Sequence, residues 1–263
     1  MEGDLETMND PKSGPSLEPF ADQPAEARRI VDRAREQGVI LRLLGGLAAR
    51  VHCQEFLFCT RDYSDIDVMG LSRQRPAILH VFDDLGYKPH QMFNAINGQS
   101  RLEFIDSQHD RHVDVFLDVF RMDHSLDLRH RLQIEPYTIS LGDLMLTKLQ
   151  IVRINQKDVR DLFTLLKDLS IGNEDNPGIV NILYIALACA RDWGLHHTVV
   201  RNLQNMARYI DDYPLAAEEK AVVLERIHTL LQAIDASAKS PKWRLRAFLG
   251  ERIRWHEEVE ETQ

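Results

Sequence analysis

The stretch Tyr63-Ser64-Asp65-Ile66-Asp67-Val68-Met69 constrains this chain more than any other. It sets two carboxylates one apolar residue apart and runs on into apolar residues. In a β-strand successive side chains alternate faces, so Asp65 and Asp67 share one face while Ile66 and Val68 take the other. Residues i and i+2 lie about 6.5–7 Å apart along a strand. From that spacing two carboxylates reach a shared pair of hard cations. Like charges this close are costly when dry, so the pattern asks for a bound cation or for bulk water. Taken alone, the pattern is common and fits an acidic edge strand facing solvent better than a metal site.

Two further stretches bear on that choice. Upstream, Val39 to Leu44 is an apolar strand that ends in Gly45-Gly46 and opens into the helical run Leu47-Ala48-Ala49-Arg50. Paired glycines at a strand-to-helix turn leave backbone N–H groups uncovered, so a phosphate can approach closely. Downstream, His112-Val113-Asp114-Val115-Phe116-Leu117-Asp118-Val119 is again strand-like, with Asp114 and Asp118 expected on one face. A strand carrying Asp114 beside the Asp65/Asp67 strand completes a three-carboxylate site.

Gly-Gly, then an acidic pair between apolar residues, then a third acid on a later strand: this ordered set resembles the nucleotidyltransferase fold of the DNA polymerase β superfamily. The span from Gly46 to Asp65 is longer than in the most compact members and leaves room for a helix and a loop. The resemblance implies an α+β fold, a mixed β-sheet with flanking helices. It also implies transfer of a nucleoside monophosphate from a nucleoside triphosphate to an acceptor hydroxyl. Asp65, Asp67 and Asp114 would be the catalytic and metal-binding acids, holding two Mg²⁺ ions for which Mn²⁺ substitutes. Gly45, Gly46 and Ser64 would contact the nucleotide. The acceptor is left open: a small molecule, a tRNA end or a protein side chain.

Past the sheet, Ser140-Leu141-Gly142-Asp143 reads as a capping box opening a helix to about Arg153. Its apolar stripe is Leu141, Met145, Leu149 and Val152, and Lys148 falls within it. A lysine there either snorkels to water or reaches a buried anion. If it reaches an anion supplied by the ligand, Lys148→Met should leave stability unchanged or raised and weaken triphosphate binding. A second helix, Lys157 to Asp168, places Arg160 and Asp161 off its apolar stripe, on a solvated face. Leu-x-x-Lys-Leu-Gln followed by Lys-Asp-x-Arg-Asp-Leu resembles the AbiEii-type nucleotidyltransferases, toxins of type IV toxin–antitoxin pairs. This likeness spans about residues 39–168. It implies that Lys148 touches the triphosphate and that Asp161 helps position the site. It adds tRNA as a target and a cognate antitoxin as a partner. A non-catalytic nucleotide- or partner-binding module of the same fold is the contrasting reading.

The 263 residues suit one large or two small domains. Residues 1–22, rich in Glu, Asp, Pro, Ser and Gly, read as a disordered leader. The Gly, Pro and Asn around 172–178 divide a nucleotidyltransferase domain, 23–171, from an all-helical C-terminal region, 172–263. Tyr87 to Ala95 and Leu102 to Ile105 suggest a hairpin around Asn97-Gly98. In the C-terminal region, four helices are expected over 179–193, 198–209, 217–236 and 243–261. Lys239 to Arg254 sets several cations among Trp243, Phe248 and Trp255. It reads as a polyanion surface or as an amphipathic helix with its tryptophans in the core. A net charge of −9 argues against general nucleic-acid binding. Three cysteines without Cys-x-x-Cys argue against a disulfide framework and a zinc site. With no membrane-length apolar run and no signal-peptide core, a reducing cytoplasm is expected.

Overall fold

The computed structural model describes residues 18–59, 63 and 65–257. Ser64 and most of the expected leader therefore lie outside the described residues. The central sheet holds β1 (Leu41–Leu43), β2 (Ile66–Gly70), β3 (Lys88–Pro89), β4 (Arg101–Asp106) and β5 (Arg111–Leu117), in the order β1-β2-β5-β4-β3. β2 and β5 are parallel and the other pairs are antiparallel. Interleaved with them are α1 (Gln23–Glu36), α2 (Gly45–Val51), α3 (Phe56–Cys59), α4 (Arg75–Asp84) and α5 (Gln91–Asn97). The expected α+β class and mixed sheet are the ones found.

Strict alternation divides the sheet into two faces. Ile66, Val113 and Phe104 form one cross-strand row, and Val68, Val115 and Leu102 the next. All six are essentially without solvent exposure. They belong to one core with Ile30 and Val31 of α1 and Ile78, Val81 and Phe82 of α4. Phe82 stacks on Phe104 at 4.0 Å between centroids. Burying each such side chain is worth about 1.5–3 kcal/mol. This row is what locks the register, because a slip of one residue would turn it to water. The opposite face carries Asp67, Asp114 and Glu103 in one row, then Met69, Phe116 and Arg101.

Several expectations are corrected. No hairpin forms around Asn97-Gly98. His90 Nδ1 accepts from the Phe93 N–H and starts α5. Gly98 ends that helix at φ −63°, whereas a tight hairpin turn of the Asn-Gly kind needs left-handed backbone. Asp118 does not share a face with Asp114 in a continuing strand. It adopts φ +65° just after β5, and its carboxylate accepts from the backbone N–H and hydroxyl of Ser72. Phe20, inside the expected leader, is tied down. Its carbonyl accepts from Arg111, its N–H donates to Glu26, and Arg29 lies over its ring. Cys53 and Cys59 are joined as a disulfide across Cα atoms 6.4 Å apart, where the sequence argued against a disulfide framework. The turn between α2 and α3 is what folds these two positions together.

After the short hairpin β6 (Val119–Arg121) and β7 (Ser125–Asp127) come α6 (Leu141–Leu149) and α7 (Gln156–Asp168). Ser140 caps α6 through the Asp143 N–H, as its sequence suggests. A parallel strand pair, β8 (Ser170–Gly172) and β9 (Ile179–Asn181), spans the Gly/Pro stretch around 172–178. The rest is helical: α8 (Ile182–Arg191), α9 (Trp193–Arg208), α10 (Ala217–Ala236) and α11 (Pro241–Leu249). Asn181 and Asp192 each cap a helix start, so the expected run 179–193 divides earlier than its apolar pattern suggests. Gly250, at φ +57°, stops α11 far short of residue 261. Among the described residues no helix is long and apolar enough to cross a membrane.

Candidate active site

The acids come together because β2 and β5 pair in parallel with Asp67 directly opposite Asp114. Asp65 lies just ahead of β2 and is exposed. Asp114 is 9% exposed. Asp67 is hemmed in from the other side by the Gly-Gly turn. The Leu44 N–H donates to the Asp67 carbonyl at 3.0 Å, and Gly45 sits at φ +69°. A Cβ on Gly45 would fall 2.3 Å from Asp67 Oδ2. Only glycine fits there, on both conformational and steric grounds. Gly46 follows in the first turn of α2 and is half-buried.

This crowding has an electrostatic consequence. Burial, then the neighbouring charges of Asp114 and Asp65, push the Asp67 carboxyl up to about 7; Lys148 and Arg101 pull the other way. Arg101 reaches Asp114 diagonally from β4. Its Nε donates to one carboxylate oxygen at 2.9 Å and its Nη2 to the other at 2.8 Å. The same guanidinium lies over the rings of Phe116 and Phe93. Glu103, opposite Asp114, pairs with His112 at 2.6 Å. That bond, offset in part by burial, raises the pKa of His112.

Lys148 neither snorkels nor stands open to a ligand. It is 4% exposed and its ammonium bridges Asp161 at 2.7 Å and Asp158 at 3.0 Å. Burial pulls its pKa down, but the two carboxylates outweigh that and leave it above the ordinary lysine value. Asp161 is likewise buried, not on a solvated face as expected. The reason is the partner: an acid off the apolar stripe of α7 meets a cation inside the stripe of α6. An ammonium has three donors, so two ion pairs leave one further N–H.

The donor set suits a hard divalent ion: carboxylate oxygens, one of them with its charge unfavourably placed. Asp65 and Asp67 fit such an ion. Asp114 fits it less well, since each of its oxygens already faces Arg101. Among the described residues, no three or more His, Cys, Asp and Glu side chains converge as a metal-binding group. Sequence reasoning named Asp65, Asp67 and Asp114 but missed Arg101 and Glu103. Their signal was present: Arg101 and Glu103 are the polar positions of an alternating strand whose partners, Leu102 and Phe104, are core.

The tryptophan-rich end of the chain is less buried than an amphipathic core helix would be. α11 buries none of its residues. Trp193, Trp243 and Trp255 line a cavity of about 470 Å³ with Arg191, Lys242 and Arg246.

No protein-family model and no curated protein matches the chain. Among solved structures, it is similar to the solution structure of the antibiotic-resistance factor ANT(2'')-Ia. The TM-score is 0.37 and the identity 13%, over 53% of this chain and 80% of that one.

Three outcomes follow from the geometry. In metal-free protein, Asp67 opposes folding once ionised. Below about pH 4 the carboxyl is protonated in both states and costs nothing; the cost accrues as pH rises toward its folded value of about 7. Asp67→Asn should therefore melt higher than the parent at about pH 8, with the gap closing below about pH 4. Gly45→Ala should lose about 1–2 kcal/mol from left-handed backbone alone, more from the displaced Asp67, in denaturant titration. Lys148→Met, expected from sequence to be neutral or stabilising, should instead cost about 3–5 kcal/mol. It strands Asp158 and Asp161 without their cation. A thermal midpoint unchanged in Lys148→Met would show the bridge to be absent in solution.

Proposed function

We propose that this chain is a divalent-metal-dependent nucleotidyltransferase. The observation that carries the reading is the alignment of Asp67 against Asp114 on adjacent parallel strands, with Gly45 packed on the Asp67 carboxylate. Three stretches 20 or more residues apart in sequence meet at one point, in the order the sequence resemblance implies. Residues 23–171 form the catalytic domain, and 172–263 its helical companion.

Asp65 and Asp67 hold the cation that accompanies a nucleoside triphosphate. Mg²⁺ suits an all-oxygen donor set, and Mn²⁺ replaces it. Bound there, the ion neutralises and orients the phosphates. The Gly45-Gly46 turn gives the triphosphate room to approach the acids. The acceptor hydroxyl attacks the α-phosphorus, the bond to the bridging oxygen breaks, and pyrophosphate leaves. Asp114 takes the hydroxyl proton on a lone pair that Arg101 does not use, since an ionised carboxylate offers about four. Lys148, held by Asp158 and Asp161, supplies positive charge near Asp67 and so favours the ionised carboxylate that holds the cation. Such catalysis is mostly positioning and electrostatics, so each acid matters greatly.

The AbiEii-type reading is favoured by one observation. The lysine and the acid that this likeness singles out, Lys148 and Asp161, form an ion pair at 2.7 Å. On that reading the acceptor is a tRNA end and a cognate antitoxin restrains the enzyme. Expression would then be toxic to a host cell and rescued by the antitoxin.

The test is incubation with each labelled nucleoside triphosphate and Mg²⁺, with tRNA, aminoglycosides or a protein as acceptor, followed by mass measurement. One acceptor should gain a nucleoside monophosphate as pyrophosphate appears. Asp67→Asn should lower the rate by roughly 100-fold or more. No added mass on any acceptor, together with no Mg²⁺-dependent thermal stabilisation by any triphosphate, would reject the enzyme.

A further inference from the structure

The chain has three tryptophans, and all three line the cavity of about 470 Å³ bounded by the start of α9, α11 and the β6–β7 hairpin. Sites for small molecules span roughly 300–1,000 Å³. Two of the indoles are anchored through their only donor. The Trp243 Nε1–H donates to the Cys189 carbonyl at 3.0 Å, and the Trp255 Nε1–H to the Thr198 hydroxyl at 3.2 Å. With those donors engaged, what the two rings offer a ligand is apolar π-surface. Trp193 is braced by Arg246, whose guanidinium lies 4.5 Å from its ring centroid and donates to the carbonyls of Gly250 and Ile253.

The charges around these rings are unequally committed. Asp192 accepts from the Leu195 N–H at 2.8 Å. Asp123 accepts from the Val152 N–H at 2.7 Å and pairs with His256 at 3.4 Å. Glu257 accepts from the Ser125 hydroxyl at 3.1 Å. Arg191 and Lys242 also line the cavity and are exposed. Among the described residues, neither side chain makes an ion pair or a hydrogen bond. The acids are thus engaged internally, and two cations are left for a ligand's charge. The surrounding segment is basic too: residues 239–254 hold six cations and one acid in a chain of net charge −9.

We propose that this cavity binds one unpaired nucleotide, its base against the indole wall and its phosphate on Arg191 and Lys242. A flat base suits an aromatic wall, and the preference is tolerant of sequence because every base has a π-face. A guanidinium and an ammonium suit the phosphate. A base paired in a duplex has no face to give, so the ligand is single-stranded or free. Both sources share one chemistry, a nucleobase carrying a phosphate. The site stands apart from the nucleotidyltransferase reading, since no residue of the acid row lines the cavity.

Because every tryptophan of the chain lines the cavity, intrinsic indole fluorescence reports on it directly. The experiment titrates the full chain, with a chelator and no divalent ion, and excites at the red edge of the indole band. The probes are adenosine monophosphate, adenosine, a short single-stranded oligoadenylate and the same strand paired with oligouridylate. The monophosphate or the single strand should change the emission saturably, and adenosine should bind about tenfold more weakly or worse. Arg191→Gln combined with Lys242→Gln should weaken binding of the phosphate-bearing probe about tenfold and flatten its salt dependence. A strand that binds more tightly than the monophosphate identifies the single strand as the ligand; equal affinities identify the free nucleotide. The inference is overturned by no saturable change with either, by adenosine matching its monophosphate, by the duplex matching the single strand, or by parental affinity in the double variant. If that variant does not fold, the comparison of adenosine with its monophosphate still decides.

Discussion

The register between β2 and β5 sets Asp67 beside Asp114, and most of what surrounds the site answers to that juxtaposition. Two carboxylates on neighbouring strands repel, and water cannot fully relieve them because Gly45 closes over one. The fold supplies cations from two sides. Arg101 comes from within the sheet and Lys148 from the helix layer. The hydrophobic rows on the other face supply the holding force. Ile66, Val68, Val113, Val115, Leu102 and Phe104 fix the alternation, and the acids have no choice but to face together. A site unfavourable in itself is thus maintained by burial elsewhere, the usual arrangement where strain serves function.

The sheet face was readable from sequence because its physics is local. Alternation of acid and apolar residues over Asp65–Val68 and His112–Val115 fixes which way each carboxylate points, and no tertiary information is needed. Glycine at 45 was readable as a turn. That it is required by the approach of Asp67, and not only by a phosphate, was not. Arg101 was missed for a different reason. Asn97-Gly98 signals a hairpin whose second strand starts only at Leu102, but His90 captures the Phe93 N–H and turns the intervening residues into α5. Side-chain capping of one N–H decided the element, and a dipeptide turn signal does not register it. β4 then pairs with β5, and Arg101 meets Asp114 across a register that no sequence spacing encodes.

Lys148 and Asp161 illustrate the limit of reading one helix at a time. A cation within an apolar stripe and an acid off another stripe each look like surface features. Paired across the α6–α7 contact they become a buried bridge, with Asp158 as the second carboxylate. Helical periodicity reports which side of a helix is apolar, but says nothing of what the neighbouring helix presents to it.

The helical C-terminal part closes the ends of the two helices that carry that bridge. Every residue of α6 is buried, the outer side included. The Asn202 side chain of α9 donates to the carbonyls of Leu149 and Ile151, satisfying orphan acceptors where α6 ends. Arg226 of α10 does the same for α7, donating to the Leu166 carbonyl at 2.6 Å and also to that of Leu169. The two helices that carry Lys148, Asp158 and Asp161 are therefore terminated by side chains from the C-terminal region. Their unpaired carbonyls would otherwise need water at positions the core excludes. The acid row, the cation near it and the helices that hold that cation form one chain of dependence. It runs from Asp67 through Lys148 to Asn202 and Arg226, across more than half the sequence.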